Sequence, residues 1–141
     1  MTRLEIDHYC FACGSENPIG LRVRVERNEG ECRLSWNPRR EFQGFREILH
    51  GGIISTLLDE AMAHAVLSVR GGTATAEIRV VFEKPVNTAE EITVEARVEE
   101  EKRRLLRASA ELLQGGARKA SARGTFVQVA RPHPAKSPKA P

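Results

Sequence analysis

The stretch from His50 to Arg70, HGGIISTLLDEAMAHAVLSVR, limits what this chain can fold into more than any other part of it. Apolar residues at Ile53, Ile54, Leu57, Leu58, Ala61, Met62, Ala65, Val66 and Val69 recur at helical spacing and wind a broad apolar stripe along one side. Such a helix must bury that stripe, so the spacing predicts one long central helix with the remaining elements packed around it. At about 100° per residue, Asp59 falls beside the margin of the stripe, one turn from the small residues Ser55 and Ala63. That is the position of a carboxylate at the edge of a cleft. Glu60 projects about 100° further round, over His64 at i+4, where an ordinary helix-surface pair is expected. Of the two carboxylates, only Asp59 stands out.

The start of the helix carries its own chemistry. Gly51 and Gly52 leave first-turn N–H groups unobstructed by side chains, and a helix N-terminus attracts negative charge. With His50 just before them, a ring nitrogen, two bare amides and the positive end of a helix dipole converge on one point. An oxyanion hole is built from such parts. A glycine-rich helix start has the same sequence, so the tripeptide gains meaning only from its surroundings.

On either side of the helix the periodicity drops to two. Leu21, Val23 and Val25 alternate with Arg22, Arg24 and Glu26, and Cys32, Leu34 and Trp36 alternate with Arg33 and Ser35. The turn at Asn28 to Gly30 makes these a hairpin. Gly71-Gly72 is expected to stop the helix. A strand comes next, with Ala74, Ala76, Ile78, Val80 and Phe82 on one face and Thr75, Glu77 and Arg79 on the other. Further strands are predicted at Ile92 to Glu99, Leu105 to Leu113 and Lys119 to Val129, the last preceded by a Gly115-Gly116 turn. One helix followed by four or five antiparallel strands is an α+β design with the helix against one face of the sheet.

The run from Phe42 to Ala65, FQGFREILHGGIISTLLDEAMAHA, resembles the hotdog-fold acyl-CoA thioesterases of the phenylacetate-pathway type, within the 4-hydroxybenzoyl-CoA thioesterase superfamily. In that motif an aromatic-rich loop leads into His-Gly-Gly and an acidic residue stands nine positions after the histidine, here His50 and Asp59. The segment from Cys10 to Leu21, with its C-F-x-C-G-x-x-N-P-x-G-L pattern, resembles the lead-in of a subset of the same family. Many relatives carry a Pro-Gly or similar pair before His-Gly-Gly, where this chain has Arg46 and Glu47.

The resemblance implies a hotdog fold, one long central helix packed against a curved antiparallel β-sheet. It implies Asp59 as the catalytic carboxylate, as general base or nucleophile, and a Gly51 amide that polarises the thioester carbonyl. His50 is expected to orient the loop or the carbonyl. A hydroxyl near Thr75 helps hold the attacking water in such enzymes, although a plain strand threonine reads the same way. Gln43 and Phe45, in the loop entering the helix, are expected to line the pocket together with Gly52, Ile48 and Leu49. Arg79 and Lys84 are weaker candidates for coenzyme A phosphates.

Helix geometry adds a dimer. Gly51 and Asp59 are eight residues apart, about 12 Å along one helix, too far for both to touch one reacting carbonyl. Two antiparallel helices about a two-fold axis would place the Gly51 end of one opposite Asp59 of the other. The resemblance implies the same homodimer, often paired into a homotetramer.

The chain has 141 residues, enough for one domain over 1–130 with a sizeable core. The remaining 131–141, RPHPAKSPKAP, reads as a disordered Pro/Lys-rich tail. That tail holds the whole basic excess, leaving a body with 19 basic and 19 acidic residues and no basic face for nucleic acid. No apolar run is long enough to span a bilayer and the N-terminus lacks a signal-peptide pattern, so a cytoplasmic protein is expected. Three cysteines, Cys10, Cys13 and Cys32, fit reduced thiols better than a disulfide framework. Cys10-x-x-Cys13 with His8 nearby supplies only part of a zinc set, which Cys32 or a distant histidine would have to complete, so neither a metal nor another cofactor is expected.

Two other functions share these features. A hydratase or dehydratase acting on an acyl thioester would suit the EAMAHA segment, but such enzymes carry the acid later in the helix. A non-catalytic acyl-CoA-binding protein would need no carboxylate beside open space. No G-x-S-x-G, Walker A, Rossmann or H-E-x-x-H motif offers a competing chemistry.

Overall fold

The computed structural model describes residues 4–131; most of the 131–141 tail lies outside them. The elements in chain order are β1 (Arg24–Asn28), β2 (Glu31–Trp36), a single 3₁₀ turn (Arg40–Phe42), α1 (Gly51–Leu67), β3 (Thr73–Phe82), β4 (Ile92–Glu101), β5 (Leu105–Gln114) and β6 (Ala117–Gln128). The six strands form one curved, unclosed antiparallel sheet in the order β1-β2-β4-β5-β6-β3, with α1 against its inner face. Four strands come after the helix, and the β1–β2 hairpin closes with Asn28 opposite Glu31.

The expected stripe is the buried face of α1. Leu57, Leu58, Ala61, Met62, Ala65 and Val66 are fully buried among Leu34, Val94, Leu106, Leu112 and Phe126 from the strands. Removing the larger side chains among these from water stabilises the fold by about 1.5–3 kcal/mol each. The indole N–H of Trp36 donates to the Leu21 carbonyl at 2.8 Å, and its ring meets Phe42 edge-on at 5.6 Å. The loop leading to the helix is thereby seated on the core. Among the described residues no helix is long and apolar enough to cross a membrane.

Three local expectations need correction. The helix ends at Leu67, before the Gly71-Gly72 pair, because Ser68 caps it: the Ser68 hydroxyl donates to the Ala65 carbonyl at 2.6 Å and accepts the Gly30 N–H at 2.8 Å. The alternation expected for β3 is broken by a register shift between Thr75 and Glu77, and Ala76 and Phe82 lie exposed. A bulge places two residues of one strand against one of its neighbour, and so reverses the facing of the residues beyond it. Leu21 and Val23 are buried as expected but precede β1; their N–H groups pair with the Phe11 and Ala12 carbonyls of the N-terminal loop.

Several charges on and beside the sheet are paired. Arg24 meets Glu91 at 2.9 Å, Arg107 meets Glu100 at 2.8 Å and Arg118 meets Glu83 at 2.9 Å. Exposed pairs of this kind contribute little to stability, but they leave this face without a one-signed field.

Candidate active site

The loop from Phe42 to His50 is fastened at both ends before the helix begins. The His50 N–H donates to the Phe42 carbonyl at 2.9 Å, Gly44 N–H donates to the Ile48 carbonyl at 2.8 Å, and Leu49 N–H donates to the Val86 carbonyl at 2.8 Å. Gln43 accepts the Glu47 N–H through its side-chain oxygen at 3.2 Å, so it braces the loop from within. Glu47 sits at φ +62°, in the left-handed region. This is the place where the related motif carries a glycine-containing pair. Residues 43–45 and 48–51 line an open cleft of about 450 Å³. Phe45 projects from it, 84% exposed, whereas Leu49 turns inward to the core.

His50 is the N-cap of α1. Its Nδ1 accepts the Gly52 N–H at 2.8 Å, which corrects the expectation of two bare amides: the ring engages Gly52 and leaves Gly51. The Gly51 N–H has no hydrogen-bond partner among the described residues, and the ring of Phe82, at the end of β3, stands beside Gly51. Phe82 reads in the sequence as one more inward strand residue. The antiparallel run of β3 past α1 brings it to the helix start, and no local signal announces that.

Two turns along the helix, Asp59 is half-buried and accepts a hydrogen bond from the Thr75 hydroxyl at 2.8 Å. The register shift after Thr75 lies at this contact. Burial pushes the Asp59 carboxyl above the ordinary aspartate value; the Thr75 hydrogen bond works against this and the nearby Glu60 charge adds to it. The result is a carboxylate suited to accepting a proton. Thr75 spends its proton on Asp59 and keeps oxygen lone pairs free to accept from a water. The structure thus brings Asp59 and Thr75 together and sets Gly51, His50 and Phe45 together at the other end of the helix. Arg79 and Lys84 are exposed along and just beyond β3.

Glu60 is not the surface partner of His64 that the spacing suggested. The two side chains meet at 3.1 Å and are only 13% and 10% exposed. The N-terminal loop folds back over this part of the helix and sets Cys10 and Cys13 against Glu60. Burial acts to raise the Glu60 carboxyl, but the hydrogen bond and charge of His64, with help from the two thiols, hold it below the usual range. A hydrogen bond from Cys13 lowers the Cys10 thiol to about 6, while the same contact and burial push Cys13 upward. Cys32 is a free buried thiol pushed up to about 12 by burial.

A comparison with curated proteins finds no match. Among solved structures, the PaaI protein from the phenylacetic acid degradation operon of E. coli superposes with a TM-score of 0.76 over 79% of this chain and 83% of its own, at 18% identity. PA5202 from Pseudomonas aeruginosa does so with a TM-score of 0.72 over 77% and 90%, at 25% identity. The smu.793 protein from Streptococcus mutans, solved bound to acetyl CoA, has a TM-score of 0.76 over 84% and 98%, at 14% identity. The family model of the thioesterase superfamily matches residues 47–121, more than half of the chain and the part that carries Gly51, Asp59 and Thr75. One helix wrapped by this sheet, and this match along it, place the chain in the thioesterase superfamily, with the hotdog fold.

Proposed function

We propose that this protein is an acyl-CoA thioesterase, hydrolysing an acyl-CoA to a free carboxylic acid and coenzyme A. The observation that carries this reading is the pair of features on one helix: a half-buried carboxylate held by Thr75 and an unengaged N–H at the Gly51 terminus. Superfamily membership supports the thioester as substrate, and the acetyl CoA on the S. mutans relative supports coenzyme A as its thiol.

In this mechanism Asp59 takes a proton from water as the water oxygen attacks the thioester carbon. The carbonyl oxygen becomes an oxyanion against the Gly51 N–H, favoured by the helix dipole. Collapse of the tetrahedral intermediate breaks the carbon–sulfur bond, and the departing thiolate receives the proton from Asp59. Direct attack by Asp59, through an anhydride that water then opens, uses the same groups. His50 fixes the first turn through Gly52 and so aims the Gly51 amide.

The roughly 12 Å between Gly51 and Asp59 makes the site a joint product of two chains. β3 supports this arrangement: it pairs with β6 on one side, and among the described residues no strand pairs with its other edge. The exposed Val81, Phe82 and Phe45 lie on and beside it. A second copy added along this edge about a two-fold axis would set the helices antiparallel and form two equivalent sites.

Incubation of the purified chain with a panel of aromatic, branched and straight-chain acyl-CoAs, reading thiol release, tests the reading. Catalytic release from at least one class is expected. Hydration of an enoyl-CoA without thiol release would replace it with a hydratase, and tight binding with no chemistry would replace it with a binding protein.

A further inference from the structure

On the helix face next to Asp59, donor atoms from two distant parts of the sequence converge. The Sγ atoms of Cys10 and Cys13 and a carboxylate oxygen of Glu60 all lie within 4.8 Å of one another. Cys10 Sγ stands 3.9 Å from Oε2 and 4.0 Å from Oε1 of Glu60. Around a tetrahedral zinc ion, with sulfur at about 2.3 Å and oxygen at about 2.0–2.2 Å, neighbouring ligand atoms are about 3.5–3.8 Å apart. Cys10 and Glu60 therefore need to close by only a few tenths of an ångström.

Each donor is held by contacts of its own. Gly14 N–H donates to the Cys10 carbonyl at 2.8 Å, and a Cβ at Gly14 would lie 2.4 Å from the Cys10 nitrogen, so only glycine lets the loop curl this tightly. That curl turns both thiols toward α1. The loop is anchored in turn by Leu21 N–H to the Phe11 carbonyl at 2.8 Å and by Asn17, whose side-chain amide donates to the Tyr9 carbonyl at 3.1 Å. From the helix side, His64 Nε2 lies 3.1 Å from Glu60 Oε2, while its Nδ1 is buried without a partner. Since a carboxylate oxygen can only accept, Nε2 is the donor in this contact. Ligand carboxylates are commonly oriented by an outer hydrogen bond of this kind.

We propose that Cys10, Cys13 and Glu60 bind a zinc ion that clasps the N-terminal loop to α1, with a water at the fourth position and His64 as the residue that positions the carboxylate. Two sulfur donors select a thiophilic ion over magnesium or calcium, and three protein ligands leave one position open. Both sulfurs coordinate as thiolates, any proton they still carry passing to solvent, and Glu60 coordinates as the carboxylate. Cys32, which the sequence offered as a third sulfur, lies outside the trio; an acid from the helix takes that place.

The test uses the full chain reduced with a phosphine, loaded with zinc or cobalt and freed of loose metal by gel filtration. One zinc per chain is expected, together with near-ultraviolet thiolate-to-cobalt charge-transfer bands and a thermal midpoint that falls on chelation. Cys10→Ser and Cys13→Ser should each weaken the bands and lose stoichiometric zinc, whereas Cys32→Ala should retain both. His64→Gln should weaken zinc binding by about 10–100-fold while keeping the thiolate bands. Reduced wild-type chain that retains no zinc and shows no cobalt–thiolate bands overturns the proposal without reference to any variant. A cobalt spectrum unchanged by Cys13→Ser overturns it as well.

Discussion

In the proposed mechanism, ionisation of the Asp59 carboxyl serves rate at the expense of stability. As a base it must be ionised, so turnover should fall as pH drops through a value above the ordinary aspartate range, the direction in which burial moves this group. In the folded chain Asp59 holds its proton more tightly than in the unfolded chain, so the stability it contributes declines as pH rises above the unfolded value near 4. Asp59→Asn keeps the acceptor for the Thr75 hydroxyl and removes the charge. We expect it to lower kcat by about 10²–10⁴-fold. Its thermal midpoint near neutral pH should equal or exceed that of the parent, with the difference vanishing in acid. A variant that melts earlier than the parent at neutral pH would show the ionised carboxylate to be stabilising. Glu47 offers a second test: at φ +62° a non-glycine residue costs about 1–2 kcal/mol, part of which glycine returns as greater freedom of the unfolded chain. Glu47→Gly should be neutral or stabilising by up to about 1 kcal/mol in denaturant melts, and Glu47→Val should be clearly destabilising. At this scale the sequence made the placement of Asp59 at the stripe's margin and of His50 and Gly51 at the helix start legible, because spacing along one helix sets their faces. It concealed the burial of Glu60, because the loop that covers it starts some fifty residues earlier and no local period records that contact.

Among the elements, the helix and every strand could be located from apolar spacing, since burial of one face imposes that spacing directly. Their ends and irregularities could not be, because these depend on hydrogen bonds from elsewhere. Ser68 stops α1 through Gly30 of the distant hairpin, and the bulge in β3 lies where Thr75 turns toward Asp59. Two substitutions probe such joints. Gly72, at φ +73°, has no room for a Cβ, which would fall 2.2 Å from the Ala130 carbonyl oxygen. Gly72→Ala should therefore destabilise by about 2 kcal/mol or more, exceeding the usual cost of strain alone. Gln114 is buried at the end of β5 and clasps the loop before β4: it accepts the Asn87 N–H at 3.0 Å and donates to the Asn87 and Glu90 carbonyls at 3.0 and 2.9 Å. Gln114→Leu leaves those groups unpaired and should lower the unfolding free energy by about 1–3 kcal/mol. Because Ile48 bridges to Asn87, the same change should loosen the loop that aims Gly51, raising KM more than the loss of stability alone would predict.

At the scale of the molecule, a shared site can be tested by complementation. Gly51→Pro deletes the amide proton while suiting the first turn of a helix, and His50, at φ −61° and ψ 134°, already has the extended backbone that precedes proline. Alone, it should cost about 10²–10³-fold in rate. Mixed with Asp59→Asn under conditions of subunit exchange, it should regain activity, since each mixed pair holds one site with an intact amide and an intact carboxylate. Verified mixed dimers that stay inactive would place both groups of each site in one chain. The open margin of β3 has a further consequence, which is kinetic. For a catalyst assembled from two copies, the number of working sites obeys mass action: below the dissociation constant it varies with the square of chain concentration, so activity per milligram falls in proportion to dilution while every chain remains folded. For the proposed shared site, assay concentration is then as much a variable as pH, and a turnover number has meaning only when quoted with it.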